Sequence, residues 1–432
     1  MATAAHDYLT TLPQEIFDQI VENVRGTSDS SSPSETAKLY ATLRLINRRA
    51  CAKADKAFAK HHFSTAYTLL CDDESHIRTE WIASHPRWGK AIETLIFNVD
   101  EVERTDNVMV STTQHSRSHV NTATGMLRGY QLHQNQQYLR NSRQDLLLLN
   151  SIFSHVRRNG NKVEIQVRDH LCNEDHIRQS RRAWTKYADL DSNWISSRSV
   201  FLTPEPDHQR PLRLLLNALS LSQLDVQHFS LETAAWSIST DSFAHPALLS
   251  NFRESLGRTV TNMKLALWTP VPAARGSVTA FVRELANCQH LSSLWLSFYH
   301  QDIENLEAAR YYKKDRFIAC DIEPDNGQQP GGHLVVQELF KHKFAKLETL
   351  RLDHAAFYVQ DLQSFVAQNG QLRTFNMMYG KMGGCEEWCL AKSSAEASRF
   401  LTGFVGIDVG CFLDGEHHMQ NWSKKFWEWK CW

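Results

Sequence analysis

The sequence predicts a mixed α/β chain, of α/β or α+β class, with a small helical unit ahead of a long array of alternating helices and short strands. Three observations predict it. Residues 10–60 carry helix start signals and helix-favouring runs. From residue 92 an apolar pattern, L-x-x-L-x-L with any apolar residue at the L positions, recurs along the chain. Between its occurrences lie segments with helical periodicity.

The first element is TTLPQEIFDQIVENV, residues 10–24. Thr11 and Gln14 fit a capping box, and Pro13 falls in the first turn, where its missing N–H costs nothing. Ile16, Ile20 and Val24 recur at helical spacing, with Phe17 and Val21 as a second row. The apolar stripe is therefore wider than so short a surface helix needs. After the polar loop GTSDSSSPS, Ser32-Pro33-Ser34-Glu35 is a second capping box with proline at N1. Leu39, Leu43 and Ile46 follow at helical spacing. Asn47-Arg48-Arg49 is a polar break, and ACAKADKAFAKHH continues in helix formers to Phe58. HFSTAYTL, residues 62–69, is rich in β-prone residues and reads as a strand. About fifty residues make a marginal core when alone, so the first unit needs a neighbour for its apolar face.

The apolar pattern then starts at Ile92, Leu221, Val260, Leu291, Leu347 and Leu372. Helical segments are expected at 145–158, 210–219, 278–288, 334–344 and 361–370, and a further strand at 162–167. Helix followed by short strand, repeated, is the grammar of a β–α solenoid. The last five starts are spaced by 39, 31, 56 and 25 residues. Regular leucine-rich repeats keep about 20–29, so the array is irregular and carries insertions, placed near 100–140 and 300–333. An ordinary α/β domain is the competing architecture. The Trp-rich end, NWSKKFWEWKCW, fits an aromatic cap on the last repeat, as helix or strand.

Composition narrows the function. Net charge is −1 with 22% charged residues, so no basic excess argues for nucleic acid. No run of about 18 apolar residues predicts a membrane span, and MATAAHDYLTTLP lacks the order of a secretory signal. Nine cysteines in such a chain fit reduced thiols in the cytoplasm or nucleus. P-loop, G-x-S-x-G, H-E-x-x-H and G-x-G-x-x-G motifs are all missing, so no catalytic constellation or cofactor is expected. Cys385-x-x-x-Cys389 matches no common zinc module.

Leu12-Pro13-x-Glu15-Ile16, then Ile20, then Leu43-Arg44-Leu45-Ile46-Asn47-Arg48-Arg49 resembles an F-box, in the style of fungal F-box proteins. The gap is longer than usual, and the family's frequent Trp near the motif's end is absent. The resemblance implies a three-helix F-box over residues 8–65, followed by an irregular leucine-rich-repeat-like region over 66–432. It implies docking on a Skp-family adaptor and, through it, a cullin–RING ubiquitin ligase. Leu12, Pro13, Ile16, Ile20, Leu43 and Ile46 then carry the adaptor contact, although some of them also pack inside the bundle. The strand x positions would face a protein substrate: Asp225, Lys264, Trp268, Trp295, Arg351, Asp353 and Asn376. Core packing is an equal reading for Trp268 and Trp295. The expected protein is a non-enzymatic substrate adaptor without metal, cofactor, nucleic-acid or membrane partner. The alternative is a repeat scaffold with no ubiquitin-ligase link.

Overall fold

The computed structural model describes residues 13–14, 16–17, 19, 42, 48–99, 101–102, 131, 133–169, 195–196, 209–232, 238–268, 275–298, 331–353, 355–378, 381–383, 388–390 and 408–412. The chain is mixed α/β and is built on one large parallel sheet. In order, α1 (Arg48–Phe63) leads into β1 (Thr65–Leu69), α2 (Asp73–Ser84), β2 (Thr94–Asn98), α3 (Gln144–Arg158), β3 (Val163–Arg168), α4 (Arg210–Ser222), β4 (Val226–Glu232) and α5 (Pro246–Glu254). There follow β5 (Asn262–Trp268), α6 (Arg275–Ala286), β6 (Ser293–Phe298), α7 (Gly331–Leu339), β7 (Thr349–Asp353), α8 (Val359–Gln368), β8 (Thr374–Met378) and β9 (Asp408–Phe412). The strands stand side by side in that same order, each parallel to the next, and the short strand Ile238–Ser239 pairs with β5.

Every expected helix of the array forms, with its ends moved by a few residues. The strand expected at 62–69 begins at Thr65, because His62 and Phe63 complete α1. Two helices, α2 and α5, were not expected. The loop expected up to residue 333 ends sooner, since Gly331, Gly332 and His333 open α7. There Gly332 lies against Phe298, where a Cβ would stand 2.8 Å from Cγ of the ring. The region near 100–140 is described at 101–102, which form a short strand, and at 131 and 133–140, which are helical. The loop at 26–34, the capping box at Ser32, and the Trp-rich segment 421–432 lie outside the described residues.

Consecutive helices pack on one another from α2 through α7. They form one layer against the strand face that carries the motif's apolar residues. Leu294, Leu296, Leu350, Leu352, Leu265 and Ile165 are at most 1% exposed, and they join Phe281, Leu285, Leu215 and Phe153 in one continuous core. Alternation along a strand sends the intervening residues to the other face, and in β6 buried and half-buried positions alternate strictly.

The strand entries share one hydrogen-bond pattern. The carbonyls of Ser64, Thr261, Ser292 and Glu348 each accept two successive backbone N–H groups of the next strand entry, at 2.8–3.1 Å. Asparagines bridge neighbouring units in a second pattern, Asn161 half-buried and Asn369 fully buried. Asn161 donates to the Gly89 and Ile92 carbonyls, both at 2.8 Å. Asn369 accepts from Phe344 N–H at 2.7 Å and donates to His342 O at 3.2 Å and Phe365 O at 2.9 Å. Backbone groups at the turns are thus satisfied by the next unit along, as buried polar groups require.

Candidate functional site

Two surfaces hold the residues expected to matter. The first is the N-terminal helix. Residues 14, 16, 17 and 19 are helical, and Phe17 N–H donates to Pro13 O at 3.0 Å. The helix divides its apolar residues. Phe17 is 1% exposed and lies beneath Lys53 of α1, whose ammonium is 5.8 Å from the ring centroid. Gln14 donates its amide to Lys53 O at 3.0 Å, tying the helix to α1. Ile16, one residue before Phe17, is 42% exposed, and Pro13 is exposed. Leu12, Ile20, Leu43 and Ile46 lie outside the described residues.

α1 is fastened in turn to the start of the sheet. Arg87 reaches the largely buried carboxylate of Asp55 at 3.0 Å. Trp88 stacks on Phe63 and on His85, with centroids 4.6 and 4.0 Å apart. Gly89 lets this turn close against α2. A Cβ there would sit 2.2 Å from Ala83 O, the atom that also accepts from Asn159.

The second surface is the strand face opposite the helices. Register sets one row of residues across it: Ser230, Lys264, Trp295, Arg351 and Asn376. At its centre the Trp295 ring stands between neighbours on both adjoining strands. Lys264 Nζ and Arg351 Cζ are each 3.9 Å from its centroid, within cation–π range. The indole N–H donates to Asp353 Oδ2 at 2.7 Å. Arg351 holds the same carboxylate with Nε on Oδ1 at 2.9 Å and Nη2 on Oδ2 at 3.1 Å. Asp353 is 4% exposed, and three N–H donors, two of them charged, compensate its burial. Trp295 is half-buried on the face opposite the helices, as its x position predicts, and its ring and indole N–H are engaged by Lys264, Arg351 and Asp353.

Four of the seven expected surface residues form this one cluster: Lys264, Trp295, Arg351 and Asp353. Asn376 is the half-buried neighbour of Arg351 in the row. Trp268 ends β5 in register with Ser239. Asp225 stands apart from the cluster. It precedes β4, is largely exposed, and meets Arg258 at 3.4 Å. Within β4 a β-bulge follows: Val163 pairs with Val226, but Glu164 pairs with His228. The extra residue, Gln227, shifts the face so that His228 and Ser230 occupy it. The signal was present in the spacing of Val226, Phe229 and Leu231, which slips by one residue. Leu221, taken as a motif position, ends α4 instead and is 60% exposed.

Among the described residues no group of three or more His, Cys, Asp or Glu side chains is placed to hold a metal ion. Cys51, Cys71 and Cys288 take part in no disulfide. Burial, with Glu284 nearby as a smaller cause, pushes the Cys288 thiol up to about 12. Among the described residues no helix is long and apolar enough to cross a membrane. Comparison with protein-family models returns no match, and comparison with curated protein sequences returns no significant one.

Proposed function

We propose that the chain is a non-enzymatic substrate-recognition subunit of an SCF-type ubiquitin ligase. In this reading the N-terminal unit is an F-box that docks on a Skp-family adaptor. The array is an irregular leucine-rich-repeat-like solenoid whose strand face binds a protein substrate. The observation that carries the first half is the divided helix. Phe17 is spent on the chain's own α1, while Ile16 stays 42% exposed. An isoleucine left outside beside an exposed Pro13, on the helix with the LPxE pattern, fits a surface kept for a partner. Support for the second half comes from strands that run in chain order beneath one helix layer. The Asn161 and Asn369 bridges between neighbouring units add to it. The alternative, a repeat scaffold with no ligase link, would have the apolar stripe covered by the chain itself.

Co-expression with a Skp-family adaptor tests the reading. The expected result is a stoichiometric complex on size exclusion that Ile16→Asp abolishes while the variant keeps its circular dichroism and thermal midpoint. A charge at an exposed site costs the monomer little, but in a buried interface it costs several kcal/mol. A soluble monomer that ignores the adaptor, or a complex indifferent to Ile16→Asp, would turn the reading to the scaffold.

A further inference from the structure

We infer that the turn over residues 85–92 is a rigid joint, which locks α1 onto the sheet so that the N-terminal unit and the array move as one body. The covalent link between them is short, since Ser64 alone separates α1 from β1. Its carbonyl accepts the N–H groups of Glu93 and Thr94 at 2.8 and 2.9 Å, so the linking residue is itself held by the next strand entry. One linking residue still brings two soft backbone torsions, and side-chain packing has to fix them.

The turn supplies that packing from the side. Trp88 lies between two rings, Phe63 of α1 and His85, with interplanar angles of 23° and 16°. Phe58 of α1 approaches the same indole at 6.5 Å, and Trp81 of α2 meets it edge-on at 5.1 Å. One side chain thus gathers rings from both helices, and stacked and edge-on pairs are the favoured ring geometries. Arg87 adds its bond to Asp55, but the arginine side chain is 66% exposed, and such an ion pair contributes little. The rings therefore carry the lock.

The turn is held in its own right. Nδ1 of His85 accepts the N–H groups of Arg87 and Trp88 at 3.3 and 3.2 Å. Asn161, just ahead of β3, donates to the carbonyls of Gly89 and Ile92, and Asn159 donates to Ala83 O near the end of α2 at 3.1 Å. Through the turn α1 is tied to α2 and to the entry of β3. Segments that open easily have few buried contacts and solvent-exposed backbone hydrogen bonds, and this turn has the opposite character. On the other side, Gln14 and Phe17 tie the N-terminal helix to α1 at Lys53. Whatever docks on the N-terminal unit is then held at one attitude to the strand face.

Double electron–electron resonance on the full chain tests the inference. Nitroxides are carried on p-acetylphenylalanine placed at Lys56 of α1 and Arg283 of α6, both exposed, and in a control protein at Arg283 and the exposed Gln363 of α8. The pair from α1 to α6 should give one narrow distance distribution. Trp88→Ala should abolish that narrow peak and leave a broad distribution, while the control pair within the array stays narrow. Trp88→Phe, which keeps a ring to stack, should restore the peak. Should Trp88→Ala fail to fold, Trp88→Leu keeps an apolar side chain without the stack and is read in the same way. A broad distribution in the unaltered chain would overturn the inference, as would a narrow one in a folded variant that lacks the ring. Equal broadening of both pairs would show that Trp88 supports the whole array, and would overturn it too. None of these outcomes depends on what the N-terminal unit binds, so the ligase reading stands or falls separately.

Discussion

His76 shows how one buried side chain couples to the surrounding solution. It is fully buried in α2, and its Nδ1–H donates to the Asp72 carbonyl at 2.8 Å. Nε2 is left buried without a hydrogen-bond partner, so the ring sits neutral. Burial lowers its pKa below 6.5; the Asp72 carbonyl and the charges of Asp145, Asp72 and Asp73 pull the other way and are outweighed. The unfolded chain then binds a proton that the native state refuses. Stability is present in full above the unfolded value of 6.5 and falls as pH drops below it, by at most about 1.4 kcal/mol per pH unit. Urea midpoints taken from about pH 7.5 down to about pH 5 should decline, and less steeply in His76→Gln. An equal decline in both proteins would show that other groups set the slope. At the same scale one inserted residue re-aims a strand: the bulge at Gln227 brings His228 and Ser230 onto the face opposite the helices.

At the scale of elements, turns as well as helices carry inter-unit bonds: Ser151 of α3 reaches Glu80 of α2, Arg253 of α5 reaches Glu284 of α6, and Asn369 does the same from a turn. Asn369 ends α8, yet two of its side-chain contacts reach back to residues 342 and 344, in the turn before β7. Replacing it by alanine leaves the buried Phe344 N–H without its acceptor. The expected cost is about 1–3 kcal/mol, read as a lower urea midpoint at unchanged slope. Asn369→Asp keeps that acceptor but loses the two donations, and it should also destabilise. A midpoint unchanged in Asn369→Ala would mean that water replaces the amide there. Element existence was legible because helical periodicity and the L-x-x-L-x-L spacing are local signals. α2 escaped because its buried face is polar: Ser75, His76 and Thr79 stand there with Ala83. A hydrophobic pattern does not register such a helix, although Asp72 caps it through the Ser75 N–H at 3.0 Å.

For the whole molecule, the strands of the large sheet stand in chain order, which makes stability a matter of adjacent units. Leu95→Ala in β2 removes a fully buried side chain and should cost about 3 kcal/mol. The loss should fall on the N-terminal strands first, so urea unfolding should broaden or split instead of shifting as one step. A single transition moved at constant steepness would show the sheet to be one cooperative block. By itself the sequence determined the alternation of helix and strand, which strand residues enter the core, and the absence of a catalytic motif, because these follow from local spacing and residue type. It also marked Lys264, Trp295, Arg351 and Asp353 as facing away from the core. Tertiary structure decided the rest. Strand order and register brought those four residues, from three separate segments, to one place. Packing against α1 separated the buried Phe17 from the exposed Ile16, two adjacent apolar residues that spacing alone treats alike.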